Sequence, residues 1–86
     1  MPQTPDQQQR GQAHEARYAL LVETATRVAD WLERLAAADD KQADSCKAHL
    51  PAFSDACRRD AANRRATAKS LRTALDAASH ATGTTP

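Results

Sequence analysis

Two cysteines and a histidine are the residues whose types and spacing offer the most chemistry. Cys46 and His49 lie three residues apart and would share one face of a helix, and Cys57 follows eleven residues after Cys46. Thiolate and imidazole groups are ligands for Zn²⁺ or Cu(I). Along a continuous helix, however, Cys57 would lie about 16 Å from Cys46. A metal site at these three residues therefore requires a second chain or a sharp reversal of the chain at Pro51.

The alternative is that both cysteines are small apolar core residues, as free cysteine commonly is. A disulfide across a straight helix is excluded, because bridged Cα atoms lie within about 7 Å of each other. A tight turn at Leu50 and Pro51 would instead let Cys46 and Cys57 meet. The sequence leaves free, bridged and metal-bound thiols open.

A basic row occupies the C-terminal third of the chain. Arg58, Arg65 and Arg72 recur every seven residues, and Lys69 lies one turn after Arg65. Guanidinium groups at this spacing could bind phosphates or grip carboxylates on a partner. A formal net charge of only +1 and an aromatic content of 3% count against nucleic acid. The alternative is a solvated helix face that the acidic first half of the chain partly neutralises.

Trp31 is the only tryptophan and lies beside Leu32. Tryptophan is enriched at interaction hot spots, although at helical spacing it also serves as a core residue. The candidate partner-binding residues are therefore Trp31, Arg58, Arg65, Lys69 and Arg72. The serines lack a glycine-rich elbow, and two glycines cannot build a phosphate-binding loop. We predict no catalytic residues, no enzyme activity and no cofactor other than the Zn²⁺ or Cu(I) alternative.

These candidates must be positioned by helices, because apolar residues recur at alternating steps of four and three. The first stripe comprises His14, Tyr18, Leu21, Ala25, Val28, Leu32 and Leu35. The second comprises Cys46, Leu50, Phe53, Cys57, Ala61, Arg64, Ala68, Leu71, Leu75 and Ala78, with Arg64 as its polar interruption. The spacing predicts an all-α antiparallel helical hairpin.

The predicted domain covers residues 12–80, with one helix over 12–38 and a helical region over 40–80 that Pro51 kinks or breaks. Asp39 can end the first stripe and cap the next helix. Residues 1–11 form a polar leader, in which Thr4, Pro5 and Gln7 also match a helix start with a capping box. Residues 81–86 are predicted to be a flexible tail.

Alanine supplies roughly half or slightly more of the apolar residues, so one hairpin has little core to bury. Small chains usually gain stability from disulfides, metals or association. We therefore predict a homodimeric four-helix bundle that also binds a larger protein as an adaptor, chaperone or inhibitor. The alternatives are a metal-binding bundle and a nucleic-acid-binding helix face. With no signal peptide or membrane-spanning run visible, the predicted location is the cytoplasm.

Overall fold

A computed structural model describes residues 4–83 and the side chains as far as His80. Helix α1 spans Pro5–Cys46 and helix α2 spans Pro51–Gly83, with a turn at residues 47–50 between them. The two helices pack side by side in antiparallel directions, and no strand occurs between residues 4 and 83. The predicted all-α helical hairpin is confirmed. It is 70 Å long and only 13 Å thick, so it has no second layer to cover its sides.

Helix α1 begins at Pro5 because a capping box closes its first turn. The Gln7 backbone N–H donates to Thr4 Oγ1 at 3.3 Å, and the Thr4 N–H donates to Gln7 Oε1 at 3.0 Å. Pro5 follows the cap, where its missing N–H leaves no helical bond unmade. The helix thus starts within the predicted polar leader instead of at residue 12, while residues 1–3 lie outside the described part.

Helix α1 also continues to Cys46, beyond the predicted end at residue 38. Asp39 and Asp40 do not cap a helix, because their carboxylates accept hydrogen bonds from Arg64 and Arg65 of α2. Residues 40–46 therefore belong to α1, and the break expected at Pro51 is the hairpin turn itself. Of the predicted tail, residues 81–83 continue α2 and residues 84–86 lie outside the described part.

The seam between the helices consists of small side chains. Fully buried alanines occur every seventh residue on α1, at Ala29, Ala36 and Ala43, and the matching positions on α2 are Ser54, Ala61 and Ala68. Ser54 Oγ donates to the Ala43 carbonyl oxygen at 2.7 Å, which fixes the register. The same register places Ala36 opposite Ala61 and Ala29 opposite Ala68. Since these side chains are so small, the two backbones approach closely at these three layers.

The buried stripe on α1 matches the predicted one in part: Tyr18, Ala25, Leu32 and Leu35 are half-buried, but fully buried Ala29 and Ala36 lie one residue after predicted members. Val28 and Leu21 were expected inside, yet Leu21 is 67% exposed, and the fully buried residue beside Val28 is Ala29. A close seam accepts alanine at its centre and leaves larger side chains on its flank. On α2 the predicted stripe holds from Cys57 to Ala78, where every member is buried or half-buried.

Neither described helix combines the length and the apolar character needed to cross a membrane.

Candidate interaction surfaces

One long side of the hairpin, here called the ion-pair edge, is closed by salt bridges between the helices. Arg58 pairs with Asp44 at 2.7 Å, and Arg65 pairs with Asp40 at 2.5 Å. Arg72 reaches two carboxylates, Asp30 at 2.6 Å and Glu33 at 3.0 Å. The arginine of every second helical turn on α2 therefore meets an acidic side chain of α1.

These pairs bear directly on the predicted partner-binding residues. The hydrogen bonds that Arg72 donates to Glu33 and to Asp30 raise the pKa of its guanidinium, Glu33 having the larger effect, so the group stays charged at every ordinary pH. Lys69 lies beside Arg65 and Arg72 in a shallow groove that Glu33 also lines. The three arginines of the basic row are thus engaged within the chain, and a phosphate or carboxylate on a partner would compete with existing ion pairs.

A further ion pair lies inside the seam. Arg64 interrupts the apolar stripe of α2, and Asp39 occupies the facing position on α1, where the two side chains form a charge-assisted hydrogen bond. The Asp39 side chain is only 17% exposed. Among the described residues no buried side-chain nitrogen or oxygen lacks a partner. Since a shifted register would separate this pair, Asp39 and Arg64 favour one alignment of the helices.

The opposite long side, here called the apolar edge, carries the large apolar side chains. On α1 it comprises Leu21, Val28, Trp31 and Leu35, and Phe53 of α2 extends it toward the turn. Trp31 is 53% exposed and Phe53 46% exposed, while Leu35 is half-buried. Contiguous exposed apolar side chains of this size commonly mark a site of association.

The apolar edge is also free of charge along residues 21–45 of α1. Two rows of the helix run along it, one through Leu21, Val28, Leu35 and Gln42, the other through Thr24, Trp31, Ala38 and Ser45. None of these eight residues is ionisable, in a chain of which 27% is charged. At the same seven-residue spacing the next positions toward the N-terminus are His14 and Arg17, and over residues 21–45 the charge of α1 lies on the ion-pair edge, on the outer face and at Asp39 in the seam.

The five predicted partner-binding residues therefore fall on two separate surfaces. Trp31 lies on the apolar edge, whereas the basic residues lie on or beside the ion-pair edge. Leu21, Val28 and Phe53 were assigned to the core from their spacing and were missed as surface residues. The signal that could have found them is the set of alanines repeating every seven residues beside them.

The turn brings the two cysteines to the same end of the seam. Cys46 is half-buried at the end of α1, and Cys57 is 6% exposed near the start of α2. Burial raises the pKa of Cys57, and the nearby Cys46, Asp39 and Asp60 raise it further. His49, the third predicted metal ligand, is exposed within the turn.

Between residues 4 and 83, no three or more histidine, cysteine or acidic side chains are gathered so that they could hold a metal ion. The metal-binding alternative, with Cys46, His49 and Cys57 as ligands for Zn²⁺ or Cu(I), stays a prediction from the sequence.

No family model matches this chain, and comparison with curated proteins and with solved structures finds none that is similar to it.

Proposed function

We propose that this chain is a non-enzymatic protein-interaction module whose apolar edge binds a second copy of the same chain, giving a four-helix bundle. The observation that carries the proposal is the inversion of side-chain size. The seam holds alanines, whereas Leu21, Val28, Trp31 and Phe53 lie exposed on one edge. Bundles of four helices bury such residues between two hairpins.

The exposed area supports an interface of dimer size. The chain exposes 6896 Å², whereas a compact monomer of 9.3 kDa exposes about 5,000 Å². The excess of about 1,900 Å² falls within the area that one protomer of an obligate dimer contributes, about 1,000–2,500 Å². A second copy on the apolar edge would remove surface on this scale.

The distribution of charge supports a second copy as the occupant. In a two-fold symmetric dimer the same patch lies against itself, so a charge on it would be buried against other residues of that patch. The two rows of α1 that form most of the apolar edge contain no ionisable residue. This part of α1 can therefore be covered by a second copy without burying a charge, while on α2 the row through Phe53 continues to exposed Asp60. The ion-pair edges remain in water on the outside.

Two neighbouring leucines give a matched test. Leu21 lies on the apolar edge and is 67% exposed, while Leu20 is 63% exposed on the outer face of α1. We expect Leu21→Lys to convert the dimer to a monomer, because it would bury an unpaired charge in the interface. Leu20→Lys should leave the dimer intact. Sedimentation equilibrium at several micromolar concentrations measures both outcomes.

A wild-type chain that sediments as a monomer at all these concentrations would refute self-association. Equal effects of the two lysine substitutions would refute the assignment to the apolar edge. Trp31 provides a second readout, since its fluorescence should shift to shorter wavelength as the chains associate and bury it. Binding of a larger protein as an adaptor, chaperone or inhibitor remains a prediction from the sequence.

A further inference from the structure

We infer that Cys46 and Cys57 form an oxidisable dithiol that can close the turn end of the hairpin with an intramolecular disulfide. This inference is independent of the proposed function, since it concerns two residues within one hairpin. It rests on the register of the two helices and on the contacts around the Ala43 carbonyl oxygen.

The register places the two thiols opposite each other. Asp39 of α1 meets Arg64 of α2 across the seam. Cys46 lies seven residues after Asp39, and Cys57 lies seven residues before Arg64. In an antiparallel pair, equal steps toward the turn on both helices lead to facing positions, and seven residues return to the same side of each helix. Cys46 and Cys57 therefore occupy the next equivalent layer.

A hydrogen bond between the helices holds them close at this layer. The Ala43 carbonyl oxygen accepts a hydrogen bond from Ser54 Oγ at 2.7 Å. Within α1, Cys46 Sγ donates to the Gln42 carbonyl oxygen at 2.9 Å and lies 3.8 Å from the Ala43 oxygen. Ser54 is three residues before Cys57, so it shares the seam-facing side of α2. Only small side chains, alanine and serine, separate the two backbones at this point. The backbones are therefore close, and a disulfide requires such closeness because the Cα atoms of bridged cysteines lie within about 7 Å.

The different exposure of the two thiols sets an order of reaction. With a small disulfide such as oxidised glutathione as the oxidant, the more exposed Cys46 thiolate attacks one sulfur and releases one glutathione thiolate. The Cys57 thiolate then attacks Cys46 Sγ in the mixed disulfide and releases the second glutathione. Two protein thiols are oxidised to one disulfide, and oxidised glutathione is reduced to two molecules of glutathione. In a reducing compartment the pair stays open.

The first measurement treats the full chain, at low micromolar concentration, with oxidised glutathione. We expect a product lighter by two hydrogen atoms, with no thiol left for alkylation and with the mobility of one chain on a non-reducing gel. Cys57→Ser should stop at a glutathione adduct on Cys46. Stable adducts on the wild-type chain, or disulfide-linked pairs of chains, would overturn the inference.

A register control separates facing thiols from mere proximity along the chain. Ser45→Cys combined with Cys46→Ala keeps two thiols and nearly the same loop, but moves one thiol to the exposed neighbouring position. We expect the wild-type chain to close about tenfold faster or more, because the register places its two cysteines at facing positions of the helices. Equal rates of closure, with both proteins showing the wild-type circular dichroism spectrum, would also overturn the inference.

Discussion

The alanine seam can be tested by enlarging one of its residues. Ala61 is fully buried and lies opposite Ala36, which is also fully buried. In Ala61→Leu, an isobutyl group must fit where the backbones leave room for a methyl group. We expect the free energy of unfolding to fall by about 1–3 kcal/mol, the usual cost of overpacking. For a domain of this size each kcal/mol lowers the Tm by about 4–8 °C.

The matched control is Ala62→Leu, one residue along α2 and exposed. Alanine and leucine have similar helix propensities, so this substitution should change the unfolding free energy by less than about 0.5 kcal/mol. Urea unfolding followed by circular dichroism, at one fixed protein concentration, compares both variants with wild type. If Ala61→Leu is as stable as Ala62→Leu, the helices do not approach closely at this position and the description of the seam is wrong.

Three further substitutions probe the seam and the helix start. Asp39→Leu should lower the free energy of unfolding by about 1–3 kcal/mol, because half-buried Arg64 loses its carboxylate partner. The double variant with Arg64→Leu should regain this loss, because no unpaired charge is left in the seam. Urea unfolding of both single variants and of the double variant measures these changes. Burial raises the pKa of Cys57 above its ordinary value of 9.0. The protonated thiol therefore contributes its full stability below pH 9.0, and this contribution is lost as the pH rises through the folded pKa. Cys57→Ala should flatten this alkaline dependence of the urea midpoint. Thr4→Ala should weaken the cap by about 0.5–2 kcal/mol. Because residues 5–17 are all exposed, it should speed amide exchange there without moving the urea midpoint.

The fold could be predicted because helical spacing of apolar residues is a local property of the sequence. The helix boundaries could not, because Asp39 and Asp40 are good caps in isolation. What keeps them inside α1 is a pair of arginines twenty-five residues away in sequence. Only the packed hairpin shows that these carboxylates already have partners, and the same contacts move the boundary to the turn beside Pro51.

The residues of the apolar edge could be predicted only in part, because their exposure also depends on how the two helices pack. Spacing alone assigns a leucine to the core before an alanine, because leucine buries more apolar area. Closely packed helices reverse this order and leave Leu21 on the flank of the seam. Exposure of Trp31 agrees with its choice as a contact residue, although no measurement of binding tests that role. The arginine row is predicted to bind a partner because of its charge. In the hairpin its arginines instead pair with acidic residues of the other helix, which the spacing within one helix does not reveal.

Because small side chains fill the centre of the seam and large ones lie exposed, one hairpin alone gains little stability from its core. Each buried alanine contributes a methyl group, worth about 0.8 kcal/mol, and each exposed ion pair contributes about 0.2–1 kcal/mol. Such contributions leave a lone hairpin marginal, so in our proposal much of the stability comes from the second copy. If two chains unfold together, a tenfold higher concentration adds about 1.4 kcal/mol per dimer. We therefore expect the Tm to rise with protein concentration.

The two lysine variants make this dependence specific to the apolar edge. Leu20→Lys should retain the rise of the Tm with concentration, because its side chain lies outside the edge. Leu21→Lys should lose the rise and melt at a lower temperature, since burying an unpaired charge at position 21 opposes docking of the second copy. A wild-type Tm that is the same at every concentration would mean that the alanine seam and its ion pairs stabilise one hairpin unaided. The exposed leucines would then have no part in stability.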